Sequence, residues 1–227
     1  MTKNRLKSLT NVELSNYLSA QLNSFFPDKK PVLQAELLNY IDSVEERAFH
    51  CFFEIKKKYF TENGITHFNH LQSDQYCMYL YMLSNHIYKI QGDIEIATKI
   101  YYLNKILHAV DIYFTAELPA VFLFVHPVGT LIGRAKFSDF FICYQGVTVG
   151  CLNDGIFPEF KGEVILYANS TVLGKCVIGK NVCVAANTSI INENIPENTI
   201  VLASQSPNKT HINNKGIYQR PPFFYNT

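Results

Sequence analysis

The stretch VILYANSTVLGKCVIGKNVCVAANTSIINENIP, residues Val164–Pro196, decides the fold. Aliphatic residues stand at Leu166, Val172, Ile178, Val184 and Ile190, six residues apart each time. Two residues ahead of each come Val164, Ser170, Cys176, Val182 and Thr188, all small or β-branched. A helix does not sustain a strict period of six. A parallel β-helix does, because each short strand turns one aliphatic side chain inward before the chain turns a corner. Corners call for left-handed backbone, which Asn and Gly tolerate. Asn169, Asn181 and Asn187 each lie three residues after an inward aliphatic, and Gly179 directly follows another.

The period runs backwards with interruptions. Cys143 and Val149 are six apart, and Ile132 lies eleven before Cys143, one short of two steps. Between them and Val164 the segment CLNDGIFPEFKGE, residues 151–163, breaks the repeat. A loop ejected from a solenoid is usually functional or at an interface. Pro196 ends the repeat, and residues 204–227 form a tail without a period, expected to cap the solenoid or to lie on a neighbour.

Upstream, residues 1–109 read as helices. Thr10 and Glu13 stand at capping-box spacing before Leu14, Tyr17, Leu18 and Leu22. A second helix is expected to open at Pro31, with Leu33, Leu37, Leu38 and Ile41 on one stripe. Two more open on the capping side chains of Ser73 and Asp93. The stripe Tyr76, Tyr79, Tyr81 and Tyr88 reads as core and subunit interface. The chain is therefore expected to be α+β: a helical domain over 1–109, a β-helix over 110–203 with its ejected loop at 151–163, and the tail.

Composition narrows the functional classes. A net charge of +1 over 227 residues implies neither a nucleic acid nor an anionic membrane as partner. The apolar runs are too short to span a bilayer. Six cysteines fit neither a zinc ribbon nor a disulfide framework, which favours reduced thiols and a cytoplasmic location. No cluster of His, Cys and carboxylates at ligand spacing suggests a metal.

His126 is the residue that asks for chemistry. It stands between the apolar run Val121–Val125 and Pro127, at the edge of an otherwise buried-looking strand. A helical half followed by hexapeptide repeats resembles the serine acetyltransferase family, whose β-helix is left-handed. HPVGTLIG, at 126–133, is similar to the segment around that family's catalytic histidine. YQGVTVG, at 144–150, and the repeats from Val172 to Ile191 are similar to its hallmark segments, and the likeness extends over roughly residues 70–208.

The resemblance implies a general base at His126, with its partner aspartate at Asp111, fifteen residues earlier. It implies acetyl-CoA as co-substrate, bound near Gly150, Ala168 and Ala186, where small side chains admit a pantetheine arm. It also implies a homotrimer, with the helical half able to join two trimers. A neutral imidazole accepts a hydroxyl proton near neutral pH, and an aspartate on its other nitrogen fixes the tautomer.

The sequence departs from the family pattern in three places. Val125 stands where an Asp usually precedes the histidine, and Arg134 replaces a Glu in the first coil. In the ejected loop an Arg-His-Pro becomes Ile156, Phe157, Pro158. Free serine carries a carboxylate that needs a cation, so the apolar loop points to a carbohydrate acceptor packed on Phe157, with Arg134 as the candidate cation if the acceptor is serine. The alternatives are a serine O-acetyltransferase, transfer to an amine, and a non-catalytic β-helix scaffold.

Overall fold

The computed structural model describes residues 4–203, 210–213 and 223–225. It divides into two compact units, one running to His108 and including Tyr113–Thr115, the other comprising Ala109–Ile112 and the chain from Ala116 on.

In the first unit, strand β1 (Asn4–Lys7) is followed by helices α1 (Asn11–Phe25) and α2 (Gln34–Glu54), strands β2 (Thr61–Glu62) and β3 (Ile65–Phe68), and helices α3 (Ser73–Lys89) and α4 (Ile94–His108). The capping box at Thr10 and Glu13 is present. Asp93 caps α4, its Oδ1 accepting from the N–H of Glu95 at 2.8 Å. Helix α2 starts at Gln34 rather than Pro31, and the cap of α3 is Gln72 rather than Ser73. The small sheet β1-β3-β2 was not legible as helix periodicity. Its signal was the dipeptide Asn63-Gly64, with φ of 50° and 74°, the mirror-image turn that suits a hairpin. Tyr76, Tyr79 and Tyr81 are buried, while Tyr88 remains exposed.

The second unit is a left-handed parallel β-helix of about five turns. Its strands are β4 (Asp111–Ile112), β5 (Phe122–Val125), β6 (Leu131–Ile132), β7 (Lys136–Phe137), β8 (Phe141–Tyr144), β9 (Thr148–Gly150), β10 (Glu159–Phe160), β11 (Ile165–Leu166), β12 (Thr171–Leu173), β13 (Val177–Ile178), β14 (Cys183–Val184), β15 (Ser189–Ile191), β16 (Thr199–Leu202) and β17 (Thr210–Asn213). Successive strands fall on successive faces, giving three sheets ordered β15-β12-β9-β6-β4, β13-β10-β7 and β17-β16-β14-β11-β8-β5. Every pairing among these is parallel except β16 with β17.

The six-residue period is the core. Leu166, Val172, Ile178, Val184 and Ile190 are each 0% exposed. Leu166 pairs with Val184, and Val172 with Ile190, one full turn later. The two gaps in the pattern are filled by phenylalanines. Phe137 takes the step between Ile132 and Cys143, and Phe160 the step before Leu166; their rings stack at 5.0 Å. Phe160 is 1% exposed, so it belongs to the core and offers nothing to an acceptor. The repeat therefore resumes at Glu159, and the ejected segment is shorter than the 151–163 expected from aliphatic spacing.

The three edges of the prism use left-handed backbone. Gly129, Gly146, Asn169 and Asn187 have φ of 76°, 67°, 59° and 59° along the first edge, between the β5–β8–β11 and β6–β9–β12 sheets. Gly174 and Asn192 turn the second edge, and Phe140, Glu163, Asn181 and Asn198 the third. Asparagine side chains tie neighbouring turns together, Asn181 donating to Asn198 Oδ1 at 2.6 Å and Asn169 to Asn187 Oδ1 at 3.2 Å. Gly179 is present for a different reason than the expected left-handed turn. Its φ is ordinary, and a Cβ there would meet the Glu197 Cα and the Pro196 carbonyl carbon, both at 2.7 Å.

The expected tail 204–227 lies mostly outside the described residues. Within it, β17 closes the edge of its sheet, and Phe224 packs on Phe140 with ring centroids 5.2 Å apart. Among the described residues no helix is long and apolar enough to cross a membrane. None of the six cysteines is in a disulfide.

Backbone cannot yield as a flexible side chain does, so Gly179→Ala is expected to destabilise the solenoid by about 2 kcal/mol or more. Urea denaturation of the variant against the parent checks this.

Candidate active site

The first edge is regular except at one corner. Tyr144 and Thr148 bracket their corner four residues apart, but their register partners Val125 and Leu131 lie six apart. The two additional residues fall in the turn that carries His126 and Pro127. His126 is exposed and holds a φ of 50° as an additional left-handed residue, while Gly129 takes the place that Gly146, Asn169 and Asn187 hold in the later turns. A side chain kept in that region is strained, and such strain persists where surrounding structure imposes it. The turn is closed locally by Val128 N–H donating to His126 C=O at 2.8 Å and Thr130 N–H to Pro127 C=O at 3.0 Å.

Asp111 opens the neighbouring turn and is half-buried. It is in register with Leu131. Two backbone hydrogen bonds clamp its strand to the His126 turn: Gly129 N–H to Ala109 C=O at 2.9 Å and Asp111 N–H to Thr130 C=O at 2.8 Å. An imidazole and a carboxylate fifteen residues apart in sequence are thus brought to adjacent turns at one edge.

Ala168 and Ala186 stack on the same edge, the Asn187 N–H donating to Ala168 C=O at 2.9 Å. They are half-buried and exposed respectively, and leave the backbone open. Gly150 is not with them. It ends β9 at the second edge, where a Cβ would meet Leu173 Cδ2 at 3.3 Å.

Phe157 and Arg134 are brought together at the second edge. A Cβ on Gly133 would lie 2.8 Å from Phe157 Cε1, so the missing side chain of Gly133 makes room for the ring. The Arg134 guanidinium lies over that ring, 5.8 Å from its centroid. The phenylalanine is therefore already engaged, and it steadies a cation.

Sequence reasoning missed one feature beside the candidate base. Tyr144 and Tyr167 stack at 5.0 Å and 27° on the two turns that follow Val125. They are 23 residues apart because the ejected loop intervenes, which hides the pairing from a six-residue count.

Three of the helical unit's histidines are held by neighbours within it. His108 pairs its Nδ1 with Asn104 Oδ1 at 2.7 Å, and burial pushes it down to about 4. His86 bonds to Ser43 at 2.7 Å and is lowered by burial and by Arg47. His70 bonds to Ser8 at 2.8 Å. The side chain of His211 lies outside the described residues. Among the described residues no group of three His, Cys, Asp or Glu side chains is placed to hold a metal ion.

Helices followed by a left-handed hexapeptide-repeat β-helix are the fold that this chain shares with solved serine acetyltransferases. No family model matches the chain. It is 30% identical over 105 residues to a serine acetyltransferase of Synechococcus elongatus; the match covers 44% of this chain and 43% of that protein, less than half of its length. Solved serine acetyltransferases share the fold, among them the following two. Serine acetyltransferase from Brucella abortus has a TM-score of 0.67 at 17% identity, covering 89% of this chain and 83% of the other. The same enzyme in complex with coenzyme A gives 0.67 at 17% identity, covering 92% and 84%.

Because Phe157 both fills the space over Gly133 and carries the Arg134 cation, Phe157→Ala is expected to release the ejected loop. Contacts of this kind contribute about 1–2 kcal/mol, so cleavage within residues 151–158 should accelerate roughly tenfold. Limited proteolysis followed by mass spectrometry measures it.

Proposed function

We propose that this chain is an acetyl-CoA-dependent O-acetyltransferase acting on the hydroxyl of L-serine. The observation that carries the reading is the strained, exposed His126 on a corner lengthened by two residues and clamped to the Asp111 strand. His126 accepts the acceptor's hydroxyl proton as the new O–C bond forms at the thioester carbonyl. It returns that proton to the departing thiolate as the C–S bond breaks. Asp111 holds the tautomer that leaves the other ring nitrogen free to accept, and it stabilises the transient imidazolium. Ala168 and Ala186 supply a floor of small residues on the same edge for the pantetheine arm.

Serine is favoured over a sugar for two reasons. The similar proteins are serine acetyltransferases, one of them in complex with coenzyme A. Phe157 is occupied by Gly133 and Arg134, which weakens the case for sugar stacking and offers a cation for serine's carboxylate. The carbohydrate reading keeps one point in its favour, the apolar Ile156 and Phe157 in the loop.

Arg134 and His126 stand at opposite ends of β6, about 10 Å apart along the face at a strand's rise per residue. Serine does not span that distance. We therefore infer a homotrimer in which one subunit's second edge completes a neighbour's first, in the cytoplasm where the thiols stay reduced.

His126→Ala is expected to lower kcat by about two to four orders of magnitude with little change in the KM for acetyl-CoA. Steady-state kinetics with L-serine and a panel of nucleotide-linked and oligosaccharide sugars tests the acceptor: turnover of serine supports the proposal, and turnover of a sugar alone replaces it with the carbohydrate reading. Light scattering at micromolar concentration should return three times the chain mass; a monomer would remove the shared site.

A further inference from the structure

Thr130 sits where the exceptional corner joins the regular prism. It belongs to the inward corner column Val110, Thr130, Val147, Ser170 and Thr188, each at most 1% exposed. That column requires a small or β-branched side chain, and it does not require a hydroxyl. Val110 and Val147 fill it without one, and the Ser170 hydroxyl has no hydrogen-bond partner among the described residues. The Thr188 hydroxyl donates within its own turn, to Ala186 C=O two residues back, at 3.4 Å. Thr130 instead donates across to the next turn, its Oγ1 lying 3.0 Å from Tyr144 C=O.

The backbone of the same residue holds the other two parts. Its N–H donates to Pro127 C=O at 3.0 Å, closing the turn that carries His126, and its C=O accepts from Asp111 N–H at 2.8 Å. One buried residue therefore joins the imidazole's turn, the carboxylate's strand and the following turn of the solenoid. Only the third link depends on the side chain.

We propose that Thr130 is a positioning residue for the reaction, its hydroxyl pinning the lengthened corner to the Tyr144 turn so that His126 keeps one orientation. The proposal rests on His126 being the base. A corner with two additional residues has more backbone freedom than the four-residue corners above it, and the φ of 50° at His126 opposes the observed conformation. Without the hydroxyl link the turn relaxes, and a misplacement of about 1 Å in a reacting group costs up to roughly a hundredfold in rate.

Thr130→Val keeps the shape and deletes the hydroxyl, Thr130→Ser keeps the hydroxyl, and Ser170→Ala is a control in the same column. Thr130→Val is expected to lower kcat about tenfold or more with an unchanged KM for acetyl-CoA, whereas Thr130→Ser stays near the parent rate and Ser170→Ala leaves it unaltered. A second readout does not need turnover. The His126 Cε1–Hε1 NMR signal, assigned with His126→Gln, should be single in the parent and in Thr130→Ser, and doubled or broadened in Thr130→Val. If the parent transfers no acetyl group, the functional reading fails while the NMR comparison still decides the role of Thr130. An unchanged His126 signal in Thr130→Val overturns the proposal. So does an equal loss of rate in Thr130→Val and Ser170→Ala, which would mark the column as packing alone.

Discussion

Each turn of the solenoid has to return one strand spacing above the turn before it, in register, with its inward side chain over the last. Parallel backbone hydrogen bonds enforce this between neighbouring turns, and the stacked columns such as Ile132, Val149, Val172 and Ile190 fill the space they enclose. The edges follow from the same requirement. A corner tight enough to keep a four-residue step needs left-handed backbone, and Gly146, Asn169 and Asn187 supply it on the first edge. Where two turns approach too closely for any side chain, Gly179 is required instead.

The proposed chemistry falls where that constraint is relaxed. The repeat admits two kinds of exception without losing register: a longer corner and an ejected loop. The longer corner carries His126, and the turn beneath it carries Asp111. The ejected loop returns Phe157 onto Gly133 and beneath Arg134, at the far end of the same short strand. Both exceptions are held by neighbours in the regular lattice, which carries the candidate catalytic groups.

The loop also shows how a substitution changes meaning in context. Phe157 stands where the resembled family keeps polar residues, and as an isolated side chain it suggests a stacking surface. Its ring is instead packed into the space left by Gly133 and supports a guanidinium. A cation absent from the loop thus reappears on the adjacent turn, which is why the acceptor reading moves from a sugar toward serine.

By itself the sequence determined the β-helix, because a six-residue period is a local property: Leu166 through Ile190 each repeat the same strand and corner. Its resemblance to the serine acetyltransferase family also marked His126 and Asp111 as a candidate pair. What it could not determine were relations across turns, since these depend on how many residues each corner and loop consumes. Only the tertiary structure put Phe160 inside, Gly150 on a different edge from Ala168, and Tyr144 against Tyr167. Only register revealed that the His126 corner is two residues too long, and that Thr130, an ordinary buried threonine in the sequence, ties it down.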